Sequence, residues 1–266
     1  MIACALVAAK LLIPVAHVEA GLRSFDMSMP EEINRILTDR ISDLLFTPSP
    51  DADQNLANEG VKAENIKLVG NIMIDSLLNH SKKSEKSDIH KELNVSKGTY
   101  ALITLHRPSN VDDKNTFSGI MEALETIGKD IPLIFPAHPR TSKMINEFGF
   151  DSRINQIPNF VVTEPLGYLD FMALMKNAKV VLTDSGGLQE ETTALGIPCI
   201  TIRENTERPI TVEQGTNTVV GNSTENIVNE WKNIANTGGK KGRIPEMWDG
   251  KTAERIGKAI VEYFDN

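Results

Sequence analysis

Short apolar, β-branched runs alternate with amphipathic stretches along almost the whole chain. The runs at 11–18 (LLIPVAHV), 44–48, 66–70, 100–105 (YALITL), 132–137, 159–164, 179–184 (KVVLTD), 197–202 (IPCITI) and 217–221 read as strands. Most are continuously apolar, the pattern of strands covered on both faces. Helical spacing runs through 30–42, 49–59, 71–80, 112–129, 139–148, 168–177, 187–195 and 223–235. In the first of these, Ile33, Ile36, Leu37 and Ile41 form one apolar stripe, expected to be buried. Ile256, Ile260 and Phe264 recur at i, i+4 and i+8 and predict a closing helix over 251–264. The opening MIACALVAAKLLIP reads as a buried helix feeding the strand 11–18. It has no basic start, and Lys10 interrupts it well short of the ~20 apolar residues of a membrane span.

The β–α alternation predicts an α/β chain with parallel sheets and right-handed crossovers, arranged as two doubly wound, Rossmann-like domains. HSKKSEKSDIHKELNVSKG (80–98) is polar with little to bury, and suits a linker followed by a short surface helix. A second polar break, 236–250, precedes the closing helix. The domain boundary therefore reads as near residues 80–98, with a separate helix after the second break. The first domain holds only about three strands and opens on a helix. A doubly wound domain normally opens with a strand and a phosphate-binding turn, so this one reads as unusually small or incomplete.

Composition narrows the picture. With 266 residues and 40% hydrophobic positions, two real cores are affordable. A net charge of −8 argues against general nucleic-acid binding but leaves a phosphate ligand open, since a helix N-terminus and a few arginines suffice. Cys4 and Cys199 sit in apolar runs without metal-like spacing, and read as buried small hydrophobes in a reducing, cytoplasmic protein.

Chemistry-bearing residues gather where strands end. His17-Val18-Glu19 closes the first strand, Gly21 permits a tight turn, and Pro30, Glu31 and Glu32 suit a helix start. Glu31, Asn34 and Arg35 share one helix edge; the same spacing fits a well-capped helix with an i,i+4 Glu31–Arg35 pair. His106-Arg107 ends YALITL and offers an acid/base and an anion ligand, or a hydrogen-bonded structural histidine. His138 and Arg140 sit at another strand-to-helix junction, which also fits a proline-shaped turn. Asp184-Ser185-Gly186-Gly187 passes from strand to helix in a small, flexible turn whose N–H groups can cradle a diphosphate. Glu190 and Glu191 follow one turn later, where a carboxylate suits ribose hydroxyls better than phosphate. Arg208, in the polar loop 203–215, can close over a phosphate or stay on the surface.

Together, HVEAGLR (17–23), MPEEINR (29–35), His106-Arg107, PAHPRT (136–141), DSGGLQEE (184–191) and TERP (206–209) resemble, in order, the non-hydrolysing UDP-N-acetylglucosamine 2-epimerases. The resemblance implies a fold of glycosyltransferase-B type with domains 1–78 and 79–249, the site in the interdomain cleft and the closing helix 250–266 crossing back to the first domain. It implies conversion of UDP-GlcNAc to UDP-ManNAc by elimination of UDP to a 2-acetamidoglucal and re-addition, with no metal or cofactor. Glu19, Glu31 and His106 match acid/base positions, and Arg35 and Arg208 match residues that orient or neutralise the diphosphate. Ser185, Gly186 and Gly187 would hold phosphates, Glu191 the ribose and Phe171 the uracil. His138 would lie near the site and a neighbouring regulatory pocket. The UDP-sugar is the implied partner, with a homodimer as the family's usual state and neither nucleic acid nor membrane. Related sequences act on UDP-2,3-diacetamido-glucuronic acid, which stays open, as does a UDP-sugar-binding fragment without catalysis. The family's HRxEN carries Ser109 at its glutamate position here. Its opening GTRPE turn and V-x-G-D-T strand end, about a hundred residues, have no counterpart in the chain, so the isolated chain is expected to be impaired unless a separate N-terminal half is supplied.

Overall fold

The computed structural model describes residues 2–265. In chain order its elements begin with α1 (Ile2–Lys10), β1 (Ala16–Val18), α2 (Pro30–Arg40), β2 (Leu44–Thr47) and α3 (Pro50–Asn58). A 3-10 turn at Ala63–Asn65 leads to β3 (Ile66–Leu68), α4 (Ile72–Ser84), α5 (Ile89–Glu92), β4 (Ala101–Thr104), α6 (Pro108–Val111) and α7 (Lys114–Ile127). There follow β5 (Leu133–Pro136), α8 (Pro139–Phe148), α9 (Asp151–Ile154), β6 (Phe160–Thr163), α10 (Tyr168–Lys176), β7 (Val180–Thr183) and α11 (Gly186–Leu195). The chain closes with β8 (Cys199–Thr201), α12 (Pro209–Glu213), β9 (Asn217–Val219), α13 (Thr224–Thr237) and α14 (Thr252–Asp265). None of the described helices is long and apolar enough to cross a membrane.

Two compact units emerge. Unit 1 comprises residues 1–79, 207–210 and 244–266; unit 2 comprises 80–206 and 211–243. Residues 244–249, expected with the second domain, group with unit 1.

Unit 1 is built on a parallel sheet of order β1-β2-β3. All four residues of β2 are buried, and the period-two alternation sorts them between two covers. Leu45 meets Leu56 of α3 on one side, with Val61 and Ile66 at the margin. Leu44 and Phe46 meet Val69 on the other, where Ile256, Ala259 and Ile260 of α14 pack. Trp248 Nε1–H donates to Pro48 O at 2.9 Å, and the Asp75 carboxylate accepts the N–H groups of Thr252 (3.1 Å) and Ala253 (2.8 Å). Phe264, expected in the buried stripe of this helix, is exposed and lies edge-on to Tyr263 instead.

Three further expectations are corrected here. In α1 only Ala5 is buried, and Cys4, Leu6 and Val7 are exposed. The run 11–18 is strand only from Ala16: Leu11, Leu12 and Ile13 are exposed, Leu12 has a left-handed φ of 60°, and Pro14 has no N–H to contribute to a ladder. In α2 the stripe is only partly covered, with Ile36 and Ile41 half-buried. Ile33 and Leu37 are exposed, whereas Glu32, Thr38 and Asp39 are buried, because that side of the helix receives donors from the loop before it.

Unit 2 is a six-stranded parallel sheet of order β6-β5-β4-β7-β8-β9. Strand order runs outward from β4 in one direction and from β7 in the other, so the β4/β7 boundary is a topological switch point. Ile103, Leu182, Phe135 and Ile200 of the sheet share a core with Phe117, Ile120 and Leu124 of α7 and Trp231 of α13. The segment expected as a linker is largely ordered against this unit. Helix α4 continues to Ser84, Ile89 is buried, Ser87 Oγ donates to Asp170 (2.6 Å), and Lys176 Nζ donates to Ser81 (2.9 Å) and Glu85 (2.7 Å).

Candidate functional site

Two clusters carry the sequence-predicted residues, one in each unit. In unit 2 the carboxyl ends of β4, β5 and β7 bring together His106, His138 and Asp184-Ser185-Gly186-Gly187. Asp184 is fully buried and organises the group. Its carboxylate takes His106 Nδ1 at 2.8 Å, the N–H groups of His106 (3.0 Å) and Arg107 (2.9 Å), and Asn110 Nδ2 (3.2 Å). Burial by itself pushes this carboxyl up, but the hydrogen bonds and charge of His106 and the backbone donors hold it below the ordinary value. An ionised Asp184 beside Nδ1 favours the tautomer with its proton there, in which Nε2 is the acceptor nitrogen of a half-exposed ring. Arg107 Nε–H donates to Asp184 O at 2.9 Å, so Arg107 serves this turn.

His106 lines a cavity of about 280 Å³ together with Thr104, His138, Phe171, Ser185 and Leu188. That size is at the lower end of small-molecule pockets, roughly 300–1,000 Å³. Phe171 is half-buried there, and the His138 ring centroid lies 5.9 Å from that of His106. His138 caps α8, its Nδ1 accepting the Arg140 N–H at 3.2 Å; Arg140 is turned to Asp112. At α11, Ser185 is the N-cap residue but makes no side-chain cap, so its hydroxyl does not occupy the first-turn N–H groups. A Cβ on Gly187 would meet nothing within 4 Å, which leaves the approach to those groups open. Glu191 is buried, and its carboxyl is pushed up to about 7 by burial first and by the charge of Glu190 second.

In unit 1 the turn after β1 presents Glu19, one-third exposed, with a left-handed φ of 67°. That conformation costs a non-glycine residue about 1–2 kcal/mol and persists only where the surroundings impose it. Gly21 (φ 79°) rests on Ala52, whose O would lie 2.4 Å from any added Cβ, so glycine is required. His17 is buried with Nδ1 at 2.5 Å from Asp39; Asp39 also takes Arg23 Nη2 at 2.7 Å, and Arg23 Nε reaches Glu59 at 2.7 Å. Burial disfavours the Arg23 charge, but Glu59 and Asp39 outweigh it and raise the guanidinium above its ordinary value.

Arg35 and Arg208 converge on Glu207, at 3.5 Å and 2.6 Å, and Arg208 Nη2 lies 3.9 Å from Glu19. Arg35 also pairs with Glu32 at 2.6 Å, an i,i+3 contact in place of the expected i,i+4 pair with Glu31. Glu32, buried, accepts the N–H groups of Ser24 (2.9 Å) and Phe25 (2.8 Å), while Glu31 is exposed at the helix start. Reading the sequence missed Asp39, Glu32, Glu207, Asp184 and Asn110 as organisers. Asp184 had a signal, an acid ending a strand directly before Ser-Gly-Gly; the others act through partners from distant segments.

A family model described as UDP-N-acetylglucosamine 2-epimerase matches residues 1–261. A UDP-N-acetylglucosamine 2-epimerase of Methanocaldococcus jannaschii is 46% identical over 268 residues, 98% of this chain and 72% of that protein. A UDP-2,3-diacetamido-2,3-dideoxy-D-glucuronate 2-epimerase of Pseudomonas aeruginosa is 44% identical over 230 residues; the match takes in 85% of this chain and 64% of that protein. The crystal structure of the M. jannaschii UDP-GlcNAc 2-epimerase in complex with UDP-GlcNAc and UDP superposes with a TM-score of 0.90 at 45% identity, over 98% of this chain and 72% of that one.

Proposed function

The chain belongs to the UDP-N-acetylglucosamine 2-epimerase family, and from that premise we propose that it interconverts UDP-N-acetylglucosamine and UDP-N-acetylmannosamine. The observation that carries this reading is the His106–Asp184 pair at the rim of a cavity that also contains Phe171 and the start of α11. A ring fixed through Nδ1 offers Nε2 for proton transfer, and the helix start offers N–H groups to a diphosphate. Departure of UDP with loss of the C2 proton gives a 2-acetamidoglucal, and return of both on the other face inverts C2. The C2 proton is weakly acidic, so proton removal and stabilisation of the leaving diphosphate must act together.

On this reading Glu19, Glu31 and His106 move protons. Arg35 and Arg208 meet the charge of the diphosphate, Ser185, Gly186 and Gly187 its oxygens, Glu191 the ribose and Phe171 the uracil, with His138 beside them. The exposure of Glu31 supports its role over that of Glu32, whose carboxylate is committed to two N–H groups and Arg35. Proton NMR of UDP-GlcNAc in deuterated water, with the chain alone and with the chain supplied with a separate N-terminal half, tests the reading. Loss of the C2 proton signal and growth of UDP-ManNAc are expected once that half is present, both abolished in His106→Ala; an unchanged spectrum in both arms alongside measurable UDP binding would overturn it.

A second sugar is supported by the P. aeruginosa relative, whose identity is nearly that of the M. jannaschii one. Turnover of UDP-2,3-diacetamido-glucuronic acid beside UDP-GlcNAc decides between them, a larger kcat/KM for the uronic acid favouring the second.

A further inference from the structure

We propose that Asp39 is a positioning residue for Glu19, holding both ends of the left-handed turn from which that carboxylate projects. The proposal rests on the reading of Glu19 as a proton-transfer group. Asp39 lies on α2, and its two oxygens reach either side of Glu19 in sequence. Oδ1 meets the buried His17 ring at 2.5 Å, two residues before Glu19. Oδ2 accepts the Gly21 N–H at 3.1 Å, two residues after it. Arg23, four residues after Glu19, adds a guanidinium to the same Oδ2 at 2.7 Å and is itself fixed by Glu59. Glu19 has the disfavoured φ of 67° between these anchors, and Asn55 Nδ2 ties the Gly21 carbonyl at 2.9 Å.

A carboxylate is needed for this. Three donors converge on two oxygens without any acceptor among them if the His17 Nδ1 carries its proton, and only an ionised acid offers lone pairs to all three. An amide at the same place has a single acceptor oxygen and turns an NH2 toward at least one donor. With the side chains of His17, Arg23 and Asp39 all buried, water has little access to substitute for the lost contact. These three side chains are buried, and their effect on the reaction runs through the place they give Glu19.

The test uses Asp39→Asn and His17→Leu, with His17→Asn as the conservative variant whose amide N–H can replace Nδ1–H. Crystal structures, amide hydrogen exchange at Gly21, and kinetics with UDP-GlcNAc are compared with wild type. Asp39→Asn and His17→Leu are expected to lower kcat on the order of a hundredfold, with KM and calorimetric UDP affinity within about twofold of wild type. His17→Asn is expected to recover most of kcat. In the structures Glu19 should leave its left-handed conformation in the first two variants, and Gly21 exchange should rise in both. Should Asp39→Asn fail to fold, His17→Leu carries the same comparison. Glu19 keeping its conformation in His17→Leu or Asp39→Asn, or kcat staying within about threefold of wild type in a folded variant, overturns the proposal. Wild-type chain that binds UDP but turns nothing over even when supplied with a separate N-terminal half refutes the epimerase reading alone, and the structures and exchange then decide whether Asp39 places Glu19.

Discussion

At the scale of single residues, burial decides what each acid can do. Asp184 and Glu191 are both buried, yet four donors hold the first ionised while the second faces another acid. With its carboxyl pushed up to about 7 from an ordinary 4.5, folded Glu191 holds a proton that the unfolded chain has already released. The stability this contributes is fully present below the unfolded value and is lost as pH rises through 7. Glu191→Gln, which cannot ionise, should therefore gain on the wild type as pH rises, by up to about 3 kcal/mol near pH 8.5 relative to pH 4. Urea denaturation of both proteins at the two pH values measures the difference; a constant gap would mean that Glu191 is not perturbed. The sequence made Glu191 visible as a helix-start acid, but the cost of its burial depends on residues packed around it that no local pattern specifies.

Among the elements, α14 and α2 differ in how much their sequence disclosed. The spacing of Ile256 and Ile260 correctly marks the face of α14 that meets Leu44 and Phe46, yet Phe264 lies beyond the surface it would cover. In α2 the apolar stripe is covered only at Ile36 and Ile41, which are half-buried; Asp39 and Glu32 meet buried donors, while Leu37 and Ile33 stay exposed. Periodicity reports which residues share a face; which face turns inward is settled by partners far away in sequence. The start of α14 is one such case, because the acceptor for Thr252 and Ala253 is Asp75. Asp75→Ala leaves two N–H groups of that helix start without their acceptor and should destabilise unit 1 by about 2 kcal/mol. Trp248 is buried in this unit, so its fluorescence in a Trp231→Phe background follows the transition in urea. An unshifted midpoint would show that α14 docks without its cap.

For the whole molecule, the alternation of strands and helices made an α/β chain of parallel sheets legible, but the order of strands was not. The switch point depends on β4 pairing with β7 across Thr104↔Thr183, and residues 207–210 join unit 1 from within the second unit's sequence. The same unit exposes Leu6, Val7, Leu11, Leu12 and Ile13 around α1, and Ile33 and Leu37 on α2. Such apolar area promotes association, so the average mass of the chain in light scattering should rise with concentration. Val7→Glu with Leu37→Lys should suppress that rise, whereas a wild type that stays monomeric throughout would contradict it. Unit 1 also has a timetable. The side of β2 that carries Leu44 and Phe46 is covered by Ile256, Ala259 and Ile260, and the Trp248 indole reaches Pro48 across 200 residues. The core of unit 2, by contrast, is closed by residues 101–234. On the ribosome, the Leu44 and Phe46 side of β2 therefore stays bare until α14 has been made. The C-terminal helix acts as a completion signal for the N-terminal sheet, and a pause in translation before residue 250 would hold the nascent chain in the state most dependent on chaperones.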